Sequence, residues 1–179
     1  MYEYSCFDYC ISLEMKGVIM ILEVKGIKKS FDKKEILHGI SFTVQSGKAM
    51  GFLGRNGAGK TTTFRCLMNV FKQTEGEFLL DGKPFDVNQN HIGYLPEERG
   101  MYAKVSLKDQ LAYFAKLKGA DNKKAAEEAE YWIDYFGLKD YTNKKLETLS
   151  KGNQQKIQIA QAFINDPDII ILDEPFSGL

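Results

Sequence analysis

The run Gly54-Arg55-Asn56-Gly57-Ala58-Gly59-Lys60-Thr61 decides the fold. Gly54 and Gly59 enclose four residues, and Lys60-Thr61 follow at once. Glycines let a backbone curl until successive N–H groups face one concavity, and such a nest attracts an anion. This spacing is the P-loop pattern, whose ligand is a phosphate chain. Gly54, Asn56, Gly57, Gly59, Lys60, Thr61 and Thr62 are therefore the expected phosphate-binding residues. Lys60 would set a point charge on the β- and γ-phosphates, and Thr61 a hydroxyl on Mg²⁺.

The flanks fit. Met50 to Leu53 is a short apolar stretch that predicts a strand entering the loop. Thr61 to Phe71 predicts a helix leaving it, with Phe64, Leu67, Met68 and Phe71 at helical spacing. The N-terminus of that helix would add its positive dipole end to the cradle. Upstream, Ile21 to Val24 and Ser41 to Val44 predict strands around a turn at residues 32–34. Downstream, Phe78 to Leu80 predicts another, turned by Asp81-Gly82.

A second chemical signal lies more than a hundred residues on, in Ile169-Ile170-Ile171-Leu172-Asp173-Glu174-Pro175. The apolar run predicts a strand buried on both faces. It delivers two carboxylates at its end, the Walker B arrangement. Asp173 is the expected Mg²⁺ holder. Glu174 is the expected general base for an attacking water, and with Lys60 forms the expected catalytic pair. The plainer alternative is a core strand ending in an acidic turn.

Between the two, Leu149-Ser150-Lys151-Gly152-Asn153-Gln154-Gln155-Lys156 precedes a helix with Ile157, Ala160 and Ile164 on one face. A serine and a glycine at a helix N-terminus can hold an anion, or can simply cap the helix. This segment resembles the signature motif of ABC-type ATPases. Ser150 and Gly152 match that motif, while Lys151 stands where the family has glycine and Asn153 where it has glutamine. The resemblance runs in register from Met20 to Leu179. It implies an α/β fold of the P-loop NTPase class and ABC ATPase type. In such a fold a mixed sheet surrounds the P-loop helix, joined by an N-terminal antiparallel β subdomain and a helical subdomain at roughly 100–160.

The resemblance also gives roles to two lone residues. Phe31 matches the aromatic that stacks on adenine, a task that needs only a flat π-face; a core role is the alternative. Ile92 to Glu97 resembles the family's Q-loop, with Glu97 in place of the usual glutamine, on the metal side of the site. The form of this loop and of the residues after it is nearest to sodium and drug exporters.

The resemblance further implies a composite site. Lys60, Thr61, Asp173 and Glu174 of one chain would face Ser150 and Gly152 of a second, in a homodimer or with a paralogous ATPase subunit. ATP and Mg²⁺ are the expected cofactors. An integral membrane permease is the expected further partner, driven toward export, with this chain peripheral at the cytoplasmic face of the membrane. The family continues past the position of Leu179 with an aspartate and a switch histidine. A truncated nucleotide-binding remnant without efficient turnover is thus one alternative, and a non-transport ABC ATPase another.

The remaining composition is ordinary. The 179 residues are 44% hydrophobic and 27% charged, which predicts a globular domain with a real core. Twenty-four basic and twenty-four acidic side chains cancel, so nucleic acid is not an expected partner. No run of roughly twenty apolar residues suggests a membrane span. Ser106 predicts the cap of a helix with Leu107, Leu111, Phe114 and Leu117 on one face. Asp121 or Asn122 predicts the cap of another, ending at Gly137. Cys6 and Cys10 lack a second ligand pair, so a metal centre is not expected there. Residues 1–19 show no clean period and are expected to be an N-terminal extension of uncertain status; over residues 20–179 the resemblance implies an incomplete ABC ATPase domain.

Overall fold

The computed structural model describes residues 9–13, 19–32, 34–55, 57–97 and 100–175. Two four-stranded sheets organise the β-rich half. The first contains β2 (Ile21–Phe31), β3 (Lys34–Gln45), β5 (Glu75–Leu80) and β6 (Lys83–Pro84), in the order β3-β2-β5-β6 and antiparallel throughout. Asp81 and Gly82 turn β5 into β6 with positive φ at both residues, a geometry that suits an Asp-Gly pair. The second sheet contains β1 (Tyr9–Leu13), β4 (Ala49–Gly51), β7 (Ile92–Leu95) and β8 (Ile169–Asp173), in the order β4-β1-β8-β7. It is mixed: β7 and β8 are parallel, and β1 is antiparallel to both of its neighbours. The antiparallel sheet and the mixed sheet around the P-loop helix are the architecture expected from the sequence.

One core cluster fills the space between these sheets and α1 (Lys60–Leu67). Leu22, Val24, Leu37, Phe64, Ile169 and Ile171 are buried in it, together with Ile11 from β1. Phe52 leaves the short β4 and wedges edge-on between Phe42 and Phe64. Helix α1 stops four residues short of the expected Phe71. Met68 caps it, Asn69 takes the left-handed conformation, and the N–H groups of Val70 and Phe71 fold back onto the Arg65 carbonyl. An asparagine in that conformation is a frequent helix stop.

A second cluster lies among α2 (Leu107–Leu117), α3 (Asn122–Tyr135) and α4 (Lys151–Phe163). Leu107, Leu111, Ala115, Ala125, Ala129 and Ile133 close the α2–α3 contact, and Ile157, Ala160 and Ile164 bring in α4. Leu117, expected on the buried face, is 64% exposed. It lies about 80° around the wheel from Leu107, while α3 packs on the opposite flank, where Ala115 takes the place. Lys118 closes the far end: its Nζ donates to the carbonyls of Gln161, Ala162 and Ile164 at 3.2, 3.2 and 3.3 Å. Burial lowers its pKa to about 8. Among the described residues no helix is long and apolar enough to cross a membrane.

Candidate nucleotide and metal site

The loop from Gly54 to Gly59 joins β4 to α1, as the spacing requires. Gly59 caps the helix in the left-handed conformation, with φ at 88°. That backbone shape favours glycine, and a Cβ there would also press on the Leu37 Cδ2 methyl at 2.5 Å. Gly57 is also left-handed, at 84°. Thr63 ties the first turn down by donating its hydroxyl to the Gly59 carbonyl at 2.9 Å. Thr62 is half-buried beside it. Lys60 is only 8% exposed, and its Nζ donates to the carbonyls of Gly54 and Arg55. In this conformation the ammonium braces the loop it belongs to. Asn56 lies outside the described residues.

Across 112 positions of sequence, the Thr61 hydroxyl donates to Asp173 Oδ1 at 3.3 Å. Asp173 is 1% exposed, and its Oδ2 is buried with no hydrogen-bond partner. Burial pushes the Asp173 carboxyl up to about 6; the Thr61 hydrogen bond opposes this, the charges of Glu97 and Glu174 add to it, and Arg65 partly compensates. A buried carboxylate oxygen without a donor is costly. A cation would satisfy it. Among the described residues no group of three or more His, Cys, Asp or Glu could hold a metal ion. Thr61 and Asp173 bring a hydroxyl and a carboxylate together. That small all-oxygen set suits Mg²⁺, which keeps several waters and takes phosphate oxygens. The residues fit the ion.

Glu174 follows directly, with φ at 52°. A non-glycine residue in that region is strained, and such strain gathers at functional sites. Glu97 sits exposed after β7, near enough to Asp173 for its charge to be felt. Phe31 ends β2 with its ring 38% exposed, edge-on to Phe71 at 5.2 Å and with Lys29 Nζ 4.7 Å from its centroid. A half-open face of that kind can accept a flat base.

Ser150 and Gly152 stand apart from this group. Ser150 caps α4, accepting the Asn153 N–H at 3.3 Å, and is exposed; Gly152 lies in the first helical turn. The helix starts at Lys151. Further along, Gln155 is buried and its Nε2 donates to the Pro175 carbonyl, which joins α4 to the chain just past Glu174.

Two features of the site were missed by sequence reasoning. Arg65, on α1, lies close enough to Tyr94 and to Asp173 to lower the pKa of both. Tyr94 itself is pushed up to about 12, by burial first and by the Asp173 charge second. The signal for Arg65 was its place four residues after Thr61, on the same helix face. The other feature is β1, which lies between the strand that enters the P-loop and the strand that ends at Asp173.

Comparison with known proteins agrees with this geometry. The family described as ABC transporter matches residues 37–177. The chain belongs to this family. Among ABC relatives, an uncharacterized ABC transporter ATP-binding protein of Bacillus subtilis, YhaQ, is 46% identical over 160 residues, covering 89% of this chain and 54% of that protein. The ribose import ATP-binding protein RbsA of Lacticaseibacillus paracasei is 33% identical, covering 89% of this chain and 34% of its own. A solved Pyrococcus furiosus chain described as an ABC transporter ATP-binding protein is 29% identical with a TM-score of 0.73, covering 89% and 78%. The chain spans about half the length of curated ABC relatives that it matches.

Proposed function

We propose that this chain is the ATP-binding part of an ABC transporter, binding Mg·ATP at the P-loop and hydrolysing it to drive transport through a separate membrane subunit. The observation that carries the reading is the meeting of Thr61 and Asp173 at 3.3 Å, with Asp173 Oδ2 buried and unpartnered beside the loop. Gly54, Asn56, Gly57, Gly59 and Thr62 frame the phosphates with backbone N–H groups. Lys60 exchanges the carbonyls of Gly54 and Arg55 for phosphate oxygens, and that exchange pairs its charge with an opposite charge instead of a neutral acceptor. Phe31 offers its face to adenine. Thr61 and Asp173 hold Mg²⁺, which supplies neutralisation of charge on the phosphates. Glu174 accepts a proton from the attacking water, held by its strained backbone at the strand end.

Ser150 and Gly152, on an exposed helix N-terminus, serve the site of a second ATPase chain, in a homodimer or with a paralogous subunit. ATP then joins two chains, and its loss lets them part. The helices from Ser106 to Phe136, a helical subdomain at roughly 100–160, pass that motion with the Glu97 loop to the permease. The chain works at the cytoplasmic face of the membrane. The Glu97 loop supports export, by its resemblance to the exporter form; a relative named for ribose import makes direction a point for experiment.

The test is Mg·ATP binding and turnover. Lys60→Ala weakens binding about 10- to 100-fold. Glu174→Gln leaves binding intact and lowers turnover at least about 100-fold. Binding without turnover in the unsubstituted chain would favour the second reading, nucleotide binding without efficient turnover. No binding by the folded chain would sink both.

A further inference from the structure

Phe31 is the last residue of β2, and the chain turns away at Asp32 with φ at 44°. An exposed aromatic side chain at a strand end is ordinarily free to change rotamer. Here its neighbours hold it. The ring meets Phe71 edge-on, at 5.2 Å between centroids and 84° between planes. Lys29, two residues earlier in the strand, lays its Nζ over the ring, 4.7 Å from the centroid and 6.0 Å from that of Phe71. The ammonium thus sits in the corner between two nearly perpendicular rings. It is fixed there by donating to the Lys72 carbonyl at 2.7 Å.

The stretch that supplies Phe71 and Lys72 is itself laced to β2. The Ser30 N–H donates to Thr74 Oγ1 at 3.1 Å, and the Thr74 N–H to the Lys28 carbonyl at 2.8 Å. At its other end, the N–H groups of Val70 and Phe71 bond the Arg65 carbonyl in the last turn of α1. Helix α1 begins at Lys60, so the aromatic platform and the phosphate loop are attached to the two ends of one helix.

We propose that Lys29 is a positioning residue of the base subsite: its ammonium covers one face of Phe31, holds the ring at a fixed setting, and leaves the other face for a neutral purine. This rests on the reading of Phe31 as the adenine-stacking residue given above. Two physical effects favour the base. A ring that is already ordered loses little rotamer freedom when the base arrives. An ammonium behind the ring also draws π density from the open face, which lessens its repulsion against the π-face of the base. Lys29 acts on the nucleotide through Phe31 and not by touching it.

The test is calorimetric titration of the full chain with Mg·AMP-PNP and with Mg·tripolyphosphate, which keeps the phosphates and lacks the base. Lys29→Met should raise the Kd for Mg·AMP-PNP about 3- to 10-fold. It should leave the Kd for Mg·tripolyphosphate within about 1.5-fold, which also shows that the variant is folded. Lys29→Arg, whose guanidinium can cover the ring and donate to the Lys72 carbonyl, should bind the nucleotide within about 2-fold of the parent. Phe31→Ala should weaken nucleotide binding about 5- to 100-fold. Adding Lys29→Met to Phe31→Ala should cost less than about 1.5-fold more, because the lysine then has no ring to hold. An equal loss for both ligands in Lys29→Met would overturn the proposal, since the lysine would then serve the phosphates or the fold. So would additive losses in the double variant, or parent-like nucleotide binding by Lys29→Met. If tripolyphosphate binds too weakly to measure, the double variant decides. Failure of the underlying reading looks different. Nucleotide bound equally by the parent and by Phe31→Ala would remove the base role of Phe31, and no binding by the folded parent would remove the nucleotide site; either overturns the proposal with it.

Discussion

Each of the three helices in the helical half starts on a side-chain cap. Ser106 accepts from Asp109, Asp121 from Lys124 and Ser150 from Asn153. Gly119 and Gly137, just past two of the helix ends, take left-handed conformations. Helix α1 in the site half starts on left-handed Gly59 with no side-chain cap at all. Beyond it lie a strained Glu174, an orphaned Asp173 oxygen, and a carboxyl held near 6. One half obeys local rules; the other departs from them where a charged ligand would repay the departure. Consistency across levels makes a stable structure, and functional sites are where it is given up. The division has loose ends, since Gln110 Oε1 and Asn165 Oδ1 are also buried without partners in the helical half.

If the halves differ in this way, substitutions should change stability in opposite directions, read by urea unfolding through Trp132. Leu111→Ala, in the helical core, should destabilise by about 2–5 kcal/mol. Asp173→Asn should instead stabilise the nucleotide-free chain by about 2 kcal/mol at pH 8. Its pH dependence is specific. The folded carboxyl titrates near 6 and the unfolded one near 3.8, so the folded state holds its proton longer. Asp173 then lowers stability as pH rises from about 4 to about 6, and stays costly above. The gain from asparagine should disappear below pH ~4; an unchanged gain at pH 3.5 would remove titration as its cause. Asp121→Ala should lose about 1 kcal/mol as a cap is removed. Smallest is Glu174→Gly, a gain of about 0.5 kcal/mol, because glycine's unfolded-state entropy offsets most of the relieved strain. Loss of stability in both site variants would break the comparison.

The same contrast governs what the sequence made legible. Gly54, Gly59, Lys60, Thr61 and Asp173 could be found because phosphate and metal chemistry require those residue types at those spacings. Caps at Ser106 and Asp121 could be found because the rule is local. The end of α1 could not, because Asn69 breaks the helix while Phe71 continues the apolar period and packs on Phe31 instead. Leu117 failed for a related reason: periodicity marks a face, but only the packed neighbour decides which flank of it is covered. β1 was hidden most completely. Its run is only five residues long, and its partners Met50 and Ile171 lie far along the chain.

The contact between β7 and α4 has a mechanical consequence. A Cβ on Gly93 would fall 2.0 Å from the Ala162 carbonyl oxygen, so only glycine lets the helix lie this close to the strand. Lys118 clasps the same end of α4, while Ser150 at the other end is exposed. The helix is a cantilever, bolted at its base to the strand that leads to Glu97. Thirteen residues make an arm about 20 Å long, and a tilt of about 5° at the base swings its tip by about 2 Å. A small displacement of β7 therefore reaches Ser150 as a movement comparable to making or breaking a hydrogen bond.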